Sequence, residues 1–158
     1  MRLPHSFQVG LSFGLNSAVI TTLALMIGLA YGSGSKAIAI GGVLIVAIAD
    51  ALSDALGIHL SEESENRHTD KEIWQATFST FFAKFIVAVT FVIPLFLFPL
   101  LMAAWINILW GIALLFIFNI YLAHQEGKNP LGVVGEHMAV GALAVGVSIL
   151  LARMISSF

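Results

Sequence analysis

Asp50 and Asp54 stand four residues apart inside an otherwise apolar stretch. On an α-helix that spacing puts both carboxylates on one face, and the same line runs on through Gly57, Ser61, Glu65 and His68. Paired carboxylates can bind a hard or borderline divalent cation, or take up and release protons. A charged side chain at mid-bilayer costs at least about 2.5–3.5 kcal/mol on insertion scales, so intramembrane acids face a water-filled path or a partner. The plainer reading of Asp50 is an acid that is protonated or hydrogen-bonded to Thr or Asn on a neighbouring helix. Asp54 lies nearer the interface, where a solvated carboxylate is ordinary. No basic partner is evident. Lys84 is the only lysine inside an apolar stretch, and its long stem is expected to snorkel towards the interface.

Two further groups offer ligand atoms. His59, Glu62, Glu63, Glu65 and His68 cluster after the Asp50 stretch, where a solvated polar loop is the simpler reading. Glu136-His137-Met138 opens the last apolar stretch. An acid there also suits the positive end of a helix dipole. Metalloprotease, serine-hydrolase and phosphate-loop signatures (HExxH, GxSxG, GxxxxGK[ST]) are all missing, so nothing points to an enzyme. With no cysteine, a metal site has only oxygen, nitrogen and methionine sulfur to draw on.

The elements that position these residues follow from composition. Of all residues 59% are hydrophobic and 10% charged, and the mean hydropathy is +0.97. Soluble domains carry about 25% charged residues, so lipid is the solvent this surface calls for. A net charge of -2 without a basic run argues against a nucleic-acid partner. A helix needs roughly 20 residues to cross a bilayer. Five stretches qualify, at about 8–31, 36–60, 77–101, 105–123 and 130–155. The expected architecture is therefore all-α, a single multi-pass bundle over residues 1–158 with a short polar segment at 61–75. That segment holds five of the nine acids. The first stretch, starting behind Arg2, is too long for a signal-peptide core and reads as a retained span. Thr69 with Glu72 forms a capping-box pattern, and Asn129-Pro130 a second helix start. Pro94 and Pro99 should bend the third span. Arg2, Arg67, Lys71 and Lys128 fall on one side against Lys36 and Arg153 on the other, which predicts a cytoplasmic N-terminus.

Gly10, Gly14, Ser17, Thr21, Ala24 and Gly28 recur every three or four residues along the first span. Such a stripe lets helix backbones approach closely in lipid. It serves simple packing, or a pore-lining or dimer face made of Gly14, Asn16, Ser17 and Thr21, with Gly57 from the second span.

Three ordered stretches resemble the vacuolar iron transporter family of divalent-metal transporters. Phe13-Gly14-Leu15-Asn16-Ser17-Ala18 with Thr21-Thr22-Leu23-Ala24 is similar to the family's first-helix motif. Ala49-Asp50-Ala51-Leu52-Ser53-Asp54-Ala55-Leu56-Gly57 is similar to its second-helix motif. Gly135-Glu136-His137-Met138 is similar to the start of its last helix, and Ile93-Pro94-Leu95 fits the third. The resemblance implies a five-helix homodimer whose first two helices line a path. It implies movement of ferrous or related ions out of the cytosol against protons.

The chain departs from that pattern in three ways. Ser17 stands where the family has an acid, Asp54 where it has methionine, and the cytoplasmic metal-binding helices are cut to 61–75. The expectation is a carrier of a divalent metal ion, iron or manganese, with the ion and protons as substrates and no resident cofactor. Asp50, Asp54, Glu136, Glu65 and His68 are its candidate ligands. The alternative is a non-transporting assembly or scaffold protein that keeps the fold.

Overall fold

The computed structural model describes residues 4–156. Arg2, which entered the charge comparison above, lies outside them. The chain runs through α1 (His5–Ser33), α2 (Lys36–Ser64), α3 (Asp70–Thr90), α4 (Val92–Leu97), α5 (Leu100–Glu126) and α6 (Pro130–Ile155), and no strand occurs among the described residues. With α3 and α4 taken together, five helices are long and apolar enough to cross a membrane. The expected all-α five-span bundle is what the chain forms.

Each helix end has a local cause. Gly34 and Gly127 close α1 and α5 at φ 61° and 66°, a left-handed conformation that costs glycine nothing. The Ser35 hydroxyl accepts the Ile38 N–H, and Asn129 Oδ1 accepts the Leu131 N–H with Pro130 at the first helical position. Thr69 and Glu72 complete the reciprocal capping box. Pro94 has no N–H to return to Thr90. The ladder breaks at Phe91, and Asn107 Nδ2 donates to the Phe91 carbonyl at 2.9 Å.

Several boundaries differ from the sequence reading. The third span starts at Asp70 and ends at Leu97, because extended Phe98 precedes Pro99. The fourth runs to Glu126 instead of 123. The segment 61–75 is mostly helix: α2 continues through Ser64 and α3 begins at Asp70. With α2 extended, Asp50 is the fifteenth of 29 residues and so lies at mid-helix.

Packing follows small residues. Ala39, Val43, Ala47, Ala51 and Ala55 form the buried ridge of α2, four residues apart. Such a ridge admits a close neighbour. Gly10 and Gly14 do the same on α1. A Cβ on Gly14 would come within 2.7 Å of the Thr80 carbonyl oxygen, and one on Gly10 would collide with Ser79 and Ala76. The upper stripe thus packs on α3 within one chain, the simple-packing reading of the stripe. Gly28, lower on the stripe, faces Ser148 of α6.

Candidate ion site

The α1–α3 seam delivers Lys84, one residue beyond Ala83, to the point where α1, α2 and α3 meet. Lys84 is buried, with 1% of its surface exposed. It does not snorkel. Its ammonium lies 2.7 Å from Asp50 Oδ2 and also pairs with Asp54 Oδ2. It further donates to Ser17 Oγ at 2.8 Å. This corrects the expectation that the acids lack a basic partner. The reason is geometric: the glycines of α1 and the alanines of α2 bring three backbones close enough for a lysine to reach both carboxylates without leaving the core.

Polar side chains from α1 complete the cluster. The Ser17 hydroxyl donates to Asp54 Oδ2 at 2.7 Å. Thr21 Oγ1 stands 2.9 Å from both Asp50 Oδ2 and the Ser17 carbonyl, so its one proton is shared between two acceptors. Every one of these bonds uses Oδ2, and Oδ1 of each aspartate stays outside them. The Asp50 and Asp54 side chains retain 27% and 21% exposure, against 2% for the Lys84 side chain. The cluster therefore has a sealed cationic side and a partly open anionic side.

A cavity of about 640 Å³ reaches Ser17, at the edge of this cluster, from the end of the bundle that carries the 127–129 turn; the two aspartates and Lys84 are not among its lining residues. Ser12, Asn16 and Ser17 of α1 line one wall, and Asn129, Glu136 and His137 the other. Asn16 Oδ1 accepts from Asn119 Nδ2 at 2.7 Å, joining α1 to α5. His137 Nδ1 is 2.9 Å from the Val133 carbonyl. A carbonyl only accepts, so Nδ1 carries a proton and Nε2 is the ring nitrogen left for other partners. Lys128 pairs with Glu126 at 2.7 Å. That hydrogen bond, and the Glu126 charge, raise the Lys128 pKa above the usual lysine value.

The remaining candidates lie elsewhere. Glu62 and Glu65 each place a carboxylate oxygen 3.6 Å from His68 Nε2. His59 belongs to a different contact. Its Nδ1 meets Thr77 Oγ1 at 3.0 Å, and its ring stands edge-on to Trp74. The Thr77 proton already goes to the Ile73 carbonyl, so His59 Nδ1 donates. Gly57 lies on the exposed face of α2 with open space around its Cβ position. Sequence reasoning grouped His59 with His68, and the structure separates them. It missed Lys84 and Asn119 as partners of the α1–α2 polar line. Asn107, Asn119 and Lys84 are all buried polar residues within spans, which was the available signal. No protein-family model matches the chain, and comparison with curated proteins finds no match.

Proposed function

We propose that the protein is a membrane carrier that moves a divalent metal ion, iron or manganese, out of the cytosol in exchange for protons. One observation carries this reading: two aspartates at mid-span share a single lysine and each keeps an uncommitted carboxylate oxygen. Buried charge at this depth is costly to keep and usually marks an ion path. A metal ion between Asp50 and Asp54 would compete with the Lys84 ammonium for the same oxygens. Competition of that kind couples cation arrival to displacement of the internal cation. The ligand set is oxygen-rich, with Ser17 and Thr21 hydroxyls beside the carboxylates, which suits hard and borderline ions. The likeness to vacuolar iron transporters points the same way. It also leads us to propose a homodimer, with the outer face of α2 around Gly57 as the face that meets the second copy and the N-terminus in the cytoplasm.

The pairing also supports a second reading. A lysine satisfied by two carboxylates clasps α1, α2 and α3, as a non-transporting assembly protein would need. Purified protein in liposomes separates the two. A carrier takes up manganese or ferrous iron and moves protons outward, so that a trapped pH dye reports an alkaline shift, and the Asp50→Asn/Asp54→Asn variant does neither. A clasp alone gives no flux in either protein, and that outcome would sink the carrier reading.

A further inference from the structure

We infer that the cavity between α1, α5 and α6 is the water-filled access route to the Asp50–Lys84–Asp54 cluster, with Ser17 as its floor, and that the structure is the state open to the end carrying the 127–129 turn. The proposal rests on the carrier reading for what moves through the route, but the route itself is a physical feature that can be tested alone.

Three observations converge. The first is depth. Ser17 lies 12 residues into α1 from His5, or about 18 Å along the axis at about 1.5 Å per residue. A cavity that includes Ser17 therefore reaches roughly the middle of a bilayer core of about 30 Å. The second is capacity and lining. A volume of about 640 Å³ holds about 20 waters at about 30 Å³ each, enough for a divalent ion that keeps its first hydration shell. The polar wall supplies hydroxyl, amide and carboxylate groups and one imidazole, partners that water or a hydrated cation needs. The third is continuity. Ser17 is a lining residue of the cavity, and its Oγ is a direct partner of Asp54 and Lys84. A solute at the floor is one hydroxyl away from the charges.

Beyond the cluster the bundle closes. Leu23, Met26, Ile27, Val43, Phe91 and Leu95 are buried and packed into one apolar core. Five residues past Thr21, Met26 is fully buried. Water moving through the bundle interior from the 34–35 turn to Ser17 would have to cross this plug. One end wet and the other dry is the asymmetry that an alternating-access carrier shows in either of its end states.

The absence of cysteine makes the route measurable. Single-cysteine variants in liposomes are treated with a membrane-impermeant, cationic methanethiosulfonate reagent added to one face at a time, and the labelled fraction is read by mass. Lys128→Cys marks the face that carries the cavity mouth. From that face Ser12→Cys and Ser17→Cys should label, and Ser17→Cys should react at least tenfold more slowly from the other face. Gly132 lines the cavity, and its Cβ position meets nothing within 4 Å. Gly132→Trp should therefore fill the route without disturbing the helices. It should slow Ser17→Cys labelling tenfold or more and leave Lys128→Cys unaffected. Should Ser17→Cys not fold, Ser12→Cys carries the same comparison. An inert Ser17→Cys beside a reactive Lys128→Cys overturns the route. So does equal reaction from both faces, or indifference to Gly132→Trp. Labelling as expected without metal flux would retain the route and discard the carrier. Metal flux with an inert floor would do the reverse.

Discussion

Lys84 Nζ lies 2.7 Å from Asp50 Oδ2, and each residue is the fifteenth of its span, counted from Asp70 and from Lys36. Cation and anion thus meet at the same depth, about 21 Å from the start of either helix at about 1.5 Å per residue. Breaking a buried pair from one side leaves an uncompensated charge and costs roughly 3–5 kcal/mol, whereas replacing the whole group by neutral residues can be nearly neutral. Lys84→Met should therefore sharply lower the unfolding temperature in detergent. The triple variant Asp50→Asn/Asp54→Asn/Lys84→Met should recover most of the loss. Equal stability of the single variant and the parent protein would mean that the cluster carries little charge in the folded state.

Gly14→Leu should unfold the protein rather than separate copies of it. The new Cβ would press on the Thr80 carbonyl and on Ala83, and overpacking a tight seam costs typically about 1–3 kcal/mol, here with backbone in the way. Gly57→Leu has open space and should leave the thermal transition within about 0.5 kcal/mol of the parent, as surface changes do. If the α2 face joins two copies, the same change shifts the particle from dimer to monomer in light scattering. A dimer that survives Gly57→Leu and Gly57→Trp moves the interface elsewhere.

The spans were legible because length and hydropathy are local quantities. So were Thr69–Glu72 and Asn129–Pro130, whose capping bonds lie within three residues. The site was half legible. Asp50 and Asp54 share a face by periodicity alone, but their partner comes from α3, 30 or more residues away. Nothing in the spacing of Lys84 tells whether it turns inward or snorkels. That depends on Gly14, Ala51 and Ala55 admitting close backbones, a property of three helices together. The polar run after Leu60 misled for the opposite reason. Glu62, Glu63 and Ser64 read as loop by charge, yet they continue α2, and Glu62 is buried, with 6% of its surface exposed.

Asn119→Leu should weaken the bundle by about 1–3 kcal/mol, the cost of leaving a buried polar partner unsatisfied. Asn119 donates to Asn16 Oδ1 and to the Leu115 carbonyl, and Asn16 is itself buried. The paired change Asn16→Leu/Asn119→Leu should be less harmful than the sum of its parts, because neither amide is then left alone. Strict additivity in a double-mutant cycle would show that the two amides do not interact.

Glu136→Gln should raise the metal concentration for half-maximal flux without lowering the maximal rate. Glu136 lines the cavity together with Glu126 and Lys128, so the three groups leave one net negative charge there and Glu136→Gln removes it. The change keeps shape and hydrogen-bonding atoms and removes only that charge. A divalent ion about 10 Å from one negative charge in water is stabilised by about 0.8 kcal/mol, a factor of about four in local concentration. Salt at 0.15 M has a screening length of about 8 Å and should reduce this to about a factor of two or less. The expected result is therefore a two- to fourfold rise in half-saturation at low ionic strength that disappears at high salt, with the same plateau throughout. A lowered plateau would instead place Glu136 among the groups that act during translocation. No change at any salt concentration would remove it from the path.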